Sequence, residues 1–504
     1  MHAYSITPSR EEFQTLAKQA NLVPLIADLV ADVETPISAF AKIADRCPCF
    51  LFESAERNEE SGRFSYLGFD PLVVFKSVGS EISITEAGRT QSFEATADPL
   101  TELEKLMARF RFTAPAGLSH FTGGAVGYIG YDVVRFFERT VPLQPVDDLR
   151  LPDMMFVIAR TLIVFDHRYR TLRLIVNAPI DGTNSADNAF DRAKNDLEGV
   201  VERLAQSIDL PVIAARRTGA TRSSRSNTTR DEFQSMVVRA KDLIAAGDIF
   251  QVVLSQRFET EFSGDPLALY RALRFGNPSP YMFCLNFEEN FTAMGSSPEL
   301  HVRVRDDLTE IRPIAGTRPR GENLIADAQL ARELLLDPKE RAEHVMLIDL
   351  GRNDLGRIAQ FGSVQVTEQM VVERYSHVMH IVSHVIASLR DDRNAFDVVR
   401  ATFPAGTVSG APKIRAMQII AEMEKARRGF YSGIVGFFGF DGSHDSCIAI
   451  RSIILKDKKA FLQTGAGIVA DSDPAREYEE CVNKSKAMLE AIERANGNEA
   501  PGNR

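Results

Sequence analysis

The chain has 504 residues, with 59 Lys and Arg against 69 Asp and Glu for a net charge of −10. That length allows roughly two to four domains, and a balance of 44% hydrophobic and 25% charged residues excludes wholesale disorder. An acidic chain lacks the basic footprint that duplex nucleic acid demands, so no nucleic acid is expected as a partner. No apolar run approaches the roughly 18 residues of a membrane span. The N-terminus, MHAYSITPSREEF, has no basic segment leading into an apolar one, so no secretory signal is expected. Five Cys are too few for a disulfide framework, which makes a reducing cytoplasm the expected setting.

Ser9 and Glu12 form a capping box at the first helix start. Met154 to Asp166 and Leu172 to Val176, rich in β-branched residues, predict neighbouring strands, and residues 188 to 207 an amphipathic helix. Composition then shifts to Ser, Thr, Arg and Gly. Residues 216–228 are expected to be an exposed linker between an N-terminal domain, 1–215, and a larger one, 229–495, with a polar tail at 496–504. A second capping box, Thr229 to Glu232, opens a helix that Gly247 ends, and Ile249 to Phe258 predicts a strand. Helices are expected near 325–350, 395–402, 412–427 and 474–494, and strands at Phe430 to Phe440 and Ala449 to Ile454.

Two Glu pairs carry the first hint of chemistry. Glu340 with Glu343, and Glu477 with Glu480, are each spaced to share a helix face. Most such pairs are solvated surface, but two faces meeting would offer hard oxygen ligands to Mg²⁺, completed by water and an anionic substrate. Gly406 to Lys413, GTVSGAPK, precedes a helix whose free N–H groups could hold an anion; with Ala411 and no Lys-Ser/Thr pair it is not a nucleotide P-loop. Gly465 to Ala470 fits the dinucleotide fingerprint weakly, because Asp471 to Pro474 intervene before any helix; a tight turn, or backbone N–H groups offered to a small anion, fits as well. Arg312 to Arg320 is either a solvated loop or an anion clamp. His380 lies in an apolar stretch that suits a hydrogen-bonded core His, while Tyr431 and Arg451 lie in or beside predicted strands. HExxH and paired CxxC motifs are absent, and so is the Cys-His-Glu set of a glutaminase.

In order along the chain, GDIFQVVLSQRF, GSSPEL, RPIAGTRPRG, KERAEHVMLIDLGRNDLGR, RYSHVMHIVSH, FPAGTVSGAPK, GFYSGIVGFFG, IAIRS and QTGAGIVADSDPAREYEE closely resemble the chorismate-utilising enzymes, and within them the large subunits of anthranilate synthase. The resemblance implies an α+β fold, with antiparallel sheets forming a central cleft, helices outside and an N-terminal regulatory segment packed against them. It implies addition of ammonia at C2 of chorismate with loss of the C4 hydroxyl, then loss of pyruvate to give anthranilate, on the way to tryptophan.

Site residues follow from the same resemblance. Glu299 matches the general acid that lets hydroxide leave as water. Glu343 and Glu480 match Mg²⁺ ligands, with Glu340 and Glu477 in an outer shell. Gly316, Thr317 and Thr407 match substrate contacts; Tyr431, Arg451, the Gly465-Ala466-Gly467 backbone and Lys484 match the site of the enolpyruvyl carboxylate. His380 matches a residue tied to the elimination step. Aminodeoxychorismate synthases carry a nucleophilic Lys where this chain has Ala315, and isochorismate synthases a Lys base where it has Gln251. Ala315 with Gln251 therefore favours ammonia as nucleophile.

Leu51 to Glu56 and Asn277 to Phe283 resemble the two segments of the family's feedback site for L-tryptophan, with Ser54, Pro280, Tyr281 and Met282 the matched contacts. Without a glutaminase set, use of glutamine requires a partner amidotransferase subunit, expected in a heterotetramer of two large and two small subunits. The chain contains no Trp, which would let a tryptophan-starved cell still translate it. The rival readings are aminodeoxychorismate synthase, a non-catalytic tryptophan-binding regulator on the same fold, and a nucleotide-binding dehydrogenase.

Overall fold

The computed structural model describes residues 4–55, 62–115, 121–180, 185–214, 224–288, 291–375 and 378–496. Among them, 23 strands join into one hydrogen-bonded network whose strand pairs are all antiparallel. Its spine is the pair Phe64–Val78 and Met154–Asp166. Asp70 sits in the left-handed region at φ 49°, and the register slips between Pro71 and Val73. Asp tolerates that conformation and Pro71 has no N–H to give the ladder, so the strand bends there.

The bend lets the spine serve two sheets. One side of it pairs with Cys49–Glu53 and continues through Tyr281–Glu288, Phe291–Ser297, Ser452–Lys456 and Lys459–Ile468 to Gln251–Glu261. The other continues through Gly124–Ile129, Ile434–Gly439, His444–Ile448, Leu300–Arg305 and Leu308–Ile311 to Val378–Ser388, which Ile314–Pro319 and Gln365–Arg374 flank. Strands from before residue 215 thus pair directly with strands from after residue 229.

Between the sheets lies a core that includes Phe50, Tyr128, Val157, Phe283, Phe430 and Val435. Two of its rings need a glycine opposite. A Cβ on Gly68 would lie 2.2 Å from the Phe50 ring, and one on Gly295 would lie 2.3 Å from Phe283. Each glycine is the cross-strand partner of its aromatic residue, so the ring fills the space the missing side chain leaves. Helices Ala186–Leu204, Pro266–Gly276 and Pro474–Asn496 bury apolar faces in one outer core. Arg230–Ala245, Ala395–Thr402 and Lys413–Met423 do so in another.

The α+β class, both capping boxes and the strand pair near residue 160 match the sequence reading. The helix expected over 325–350 is instead two, Leu324–Leu336 and Pro338–Gly356. Pro338 keeps Asp337 out of the helical region, at φ −68° and ψ 115°, and Asp337 then caps the second helix by accepting from Lys339 and Glu340. The strands expected from Phe430 and Ala449 start later, at Ile434 and Ser452, because turns precede them. Gly465 to Ile468 is the end of a strand and not a tight turn. Of the expected linker, 216–223 lies outside the described residues; its far end, Arg225–Ser226, pairs with Phe258 and Glu259. The expected tail lies outside them from residue 497.

A buried ion pair closes the helix Lys413–Met423. Arg428 donates from Nε (2.9 Å) and Nη2 (2.6 Å) to the two carboxylate oxygens of Glu424, which also accepts from the Ser255 amide and hydroxyl. The guanidinium lies 5.6 Å from the centroid of the Tyr431 ring. Arg428→Met would strand the Glu424 carboxylate without its cation. We expect it to cost about 3–5 kcal/mol, read as a lower denaturant midpoint; an unchanged midpoint would contradict the assignment.

Candidate active site

Five strands and two helices bring the matched side chains close to one another. Gln251 opens the strand Gln251–Glu261, whose register sets Val253 opposite Gly467 and Ser255 opposite Gly465. Gln251 Nε2 lies 2.8 Å from where a Cβ on Gly467 would stand, so a side chain there would displace the amide. The amide donates to Glu343 Oε1 at 2.9 Å, on the helix Pro338–Gly356. Ala466, on the opposite face of the strand, is buried in the apolar core, so only its backbone can belong to a site.

Two residues back along the same strand, a Cβ on Gly465 would stand 2.9 Å from the Tyr431 hydroxyl. The Gly465 carbonyl accepts from Lys484 Nζ at 3.0 Å, and that ammonium also pairs with Glu480 at 2.6 Å. Arg451, in the left-handed region at φ 51°, donates to the Lys484 carbonyl at 2.8 Å. Burial lowers its pKa, against the pull of Tyr431 and Glu480. Arginine nonetheless remains a cation.

On the other wall, Gly316 takes φ 66° at a register slip between Ala315 and Thr317. A Cβ there would stand 3.0 Å from Glu340 Oε2, and Arg318 donates to the other oxygen of that carboxylate at 3.1 Å. His380 is the cross-strand partner of Thr317. Its Nδ1 lies 2.8 Å from the Gly316 carbonyl and 3.1 Å from the Thr317 hydroxyl. A carbonyl can only accept, so Nδ1 carries the proton and Nε2 presents a lone pair. Burial lowers the His380 pKa, which keeps the ring neutral.

Glu299 is buried just before the strand Leu300–Arg305. Burial pushes its carboxyl up to about 8, although the Thr407 hydroxyl and the Lys484 ammonium pull the other way. It therefore keeps its proton at neutral pH. Glu343 is raised by burial, partly offset by Gln251, with Glu340 and Glu480 adding like-charge repulsion. Glu477 is raised by burial too, with a further push from Glu480. Carboxylates that repel one another in this way mark a place where a cation would lower the energy. Among the described residues, no three His, Cys, Asp or Glu side chains gather as a ready-made metal cage.

Ser54, Pro280, Tyr281 and Met282 line a different cavity, of about 660 Å³, together with Phe52, Arg303 and Asp445. The strands that carry them are neighbours, with Met282 opposite Glu53. Glu53 is buried and accepts from the Tyr270 hydroxyl at 2.9 Å and from Arg274 at 3.0 Å. A further cavity of about 770 Å³, lined by Pro36, His167 and Arg271, contains none of the residues singled out from the sequence.

The sequence reading missed Arg428 and Glu424, whose spacing of four was the available signal, and saw Arg312 only as part of an Arg-rich loop. Arg312 in fact lines both the 660 Å³ cavity and a small pocket beside Glu299.

The antiparallel α+β fold is the one that the resemblance implied. Residues 47–490 match the family described as chorismate binding enzyme, and the chain belongs to that family. Within it, the chain is similar to proteins named anthranilate synthase component 1. That of Acetivibrio thermocellus is 44% identical over 97% of this chain and 99% of the relative, and that of Pseudomonas aeruginosa is 46% identical over 96% and 98%. The crystal structure of anthranilate synthase component I from Streptococcus pneumoniae superposes with a TM-score of 0.71 at 35% identity, covering 92% of this chain and 99% of that one. The menaquinone-specific isochorismate synthase of Escherichia coli has the same fold, with a TM-score of 0.71 at 19% identity over 96% of this chain and 98% of that one. No helix among the described residues is long and apolar enough to cross a membrane.

Proposed function

We propose that this chain is the large subunit of an anthranilate synthase, converting chorismate and ammonia to anthranilate, pyruvate and water as the first committed step toward L-tryptophan. The observation that carries this reading is the identity of two positions, Ala315 next to Gly316 and Gln251 hydrogen-bonded to Glu343. Neither can serve as an amine nucleophile or as a base for water, and Gln251 is occupied with Glu343. Free ammonia needs neither, because it is already a nucleophile.

Ammonia forms a bond to C2, the ring double bond shifts, and the C4 hydroxyl departs as water with the proton of Glu299. In the aminodeoxyisochorismate so formed, the C2 proton is then removed, the enolpyruvyl C–O bond breaks and pyruvate leaves as the ring becomes aromatic. The free Nε2 of His380 suits it to accept that proton. Arg451, Tyr431 and Lys484 would hold the enolpyruvyl carboxylate, and Gly316 and Thr317 the ring carboxylate and hydroxyl. Glu343 and Glu480 would hold Mg²⁺, with Glu340 and Glu477 reached through water; a site short of protein ligands suits this ion, which keeps several waters. When bound, Mg²⁺ would neutralise the carboxylate cluster and anchor the ring carboxylate.

Glutamine would be used through a separate amidotransferase subunit, in a cytoplasmic heterotetramer of two large and two small subunits. Anthranilate fluorescence from the purified chain tests this. Chorismate, Mg²⁺ and ammonium should give anthranilate, while glutamine in place of ammonium should give none. Chorismate consumed without anthranilate would refute the reading, and activity with glutamine alone would refute the need for a partner.

L-tryptophan would bind in the 660 Å³ cavity, a volume usual for small-ligand sites, and inhibit by favouring a less active conformation. Ser54→Phe should leave turnover intact and raise the tryptophan concentration for half-inhibition by at least about 10-fold. An unchanged inhibition curve would remove Ser54 from that site.

A further inference from the structure

The 660 Å³ cavity and the catalytic cleft meet at a small group of side chains that no catalytic role absorbs. Glu373 is the cross-strand partner of His380, on the strand opposite the one that carries Thr317. Thr317, His380 and Glu373 therefore stand side by side on one face of three adjacent strands. Glu373 does not line the cavity, but both side chains that grip its carboxylate do. Arg312 Nη2 donates to one oxygen, and the Tyr375 hydroxyl donates to the other at 2.9 Å. The Tyr375 ring in turn meets the His380 ring edge-on, with centroids 5.6 Å apart. Arg312 also lines the pocket that holds Glu299.

A ligand that reaches the Arg312 and Tyr375 wall of the cavity therefore acts on the carboxylate held between them and on the ring beyond. We propose that Glu373 is the positioning residue through which occupancy of this cavity is transmitted to His380. The proposal rests on the reading of the cavity as the tryptophan site and names the route of its regulation. Tryptophan that shifts Arg312 or Tyr375 pulls Glu373 off its place beside His380 and turns the imidazole away from the C2 proton. The side chain that transmits the signal contacts neither tryptophan nor chorismate.

Turning His380 also disturbs Gly316 and Thr317, which it contacts through Nδ1 and which would hold chorismate. That coupling between two binding sites is reciprocal, so it can be read by binding alone. With the full chain, tryptophan affinity is measured by calorimetry, with and without saturating chorismate in the absence of any ammonia source. Inhibition of ammonium-dependent turnover is measured in parallel. In the wild type, chorismate should weaken tryptophan binding. In Glu373→Gln, tryptophan should bind within about 3-fold of wild type, while half-inhibition shifts by about 10-fold or more and the antagonism by chorismate shrinks by a similar factor. Tyr375→Phe, which removes only the hydroxyl that reaches Glu373, should show the same divergence and serves if the first variant fails to fold. Binding and inhibition that shift together would show that Glu373 merely shapes the cavity, and no shift in either would remove it from the route; both overturn the proposal alone. A wild type that binds no tryptophan would overturn the inhibitor reading, and the proposal with it.

Discussion

Glu299→Gln should leave chorismate affinity close to wild type and lower turnover by about 10²–10⁴-fold, the usual worth of a positioned general acid. The carboxyl is buried beside Thr407 and Lys484 and keeps its proton up to about pH 8, so it is a donor at neutral pH without a partner base. Glutamine keeps the shape and a weak donor but has no acidic proton to give the departing hydroxyl. The pH dependence should change with it. A raised carboxyl pKa means that the active, protonated form is lost as pH rises, so turnover per free ammonia should fall above about pH 8 in the wild type. That limb should be absent from the residual activity of the variant. Near-wild-type turnover, or an unaltered limb, would remove Glu299 as the acid.

Glu343→Gln should abolish most Mg²⁺-dependent activity by a different physical route. Loss of an outer-shell partner alone costs about 10–100-fold in metal affinity, so loss of a direct ligand should raise the Mg²⁺ requirement at least about 10-fold. Burial disfavours the Glu343 carboxylate, and Glu340 and Glu480 repel it. Removing its charge should therefore leave the metal-free fold as stable as wild type or more so. Added Mg²⁺ should raise the melting temperature of the wild type but not of the variant, because stabilisation by a ligand requires binding. Chelation of the wild type should silence it, and Mg²⁺ should restore it. An equal response of variant and wild type to Mg²⁺ would place the ion elsewhere.

The sequence made the motifs legible but not their meeting. Glu340 and Glu343, or Glu477 and Glu480, share a helix face by spacing alone, and the capping boxes at Ser9 and Thr229 are local signals that a fold cannot easily override. Pro338 is an equally local signal for the break between two helices, because the residue before a proline is disfavoured in the helical region. The bend at Asp70 and Pro71 is different. Its consequence, a spine shared by two sheets, depends on which distant strands pair with each half, and no local pattern records that. The glycines show the same division. Gly467 stands out in sequence, but its reason, room for an amide that reaches Glu343, comes from pairing across the strands Gln251–Glu261 and Lys459–Ile468. Arg312 and Glu373 are 61 residues apart, and only the pairing of distant strands brings Glu373 beside His380 and within reach of Arg312.

The most direct test follows the nitrogen. The purified chain is given chorismate, Mg²⁺ and isotopically labelled ammonium, and the products are resolved by mass spectrometry. Ammonia as the nucleophile at C2, with Ala315 and Gln251 leaving that role to it, predicts labelled anthranilate and pyruvate in equal amounts. Isochorismate, or an aromatic product without the label, would show that water and not ammonia attacks, and would contradict the account at its centre.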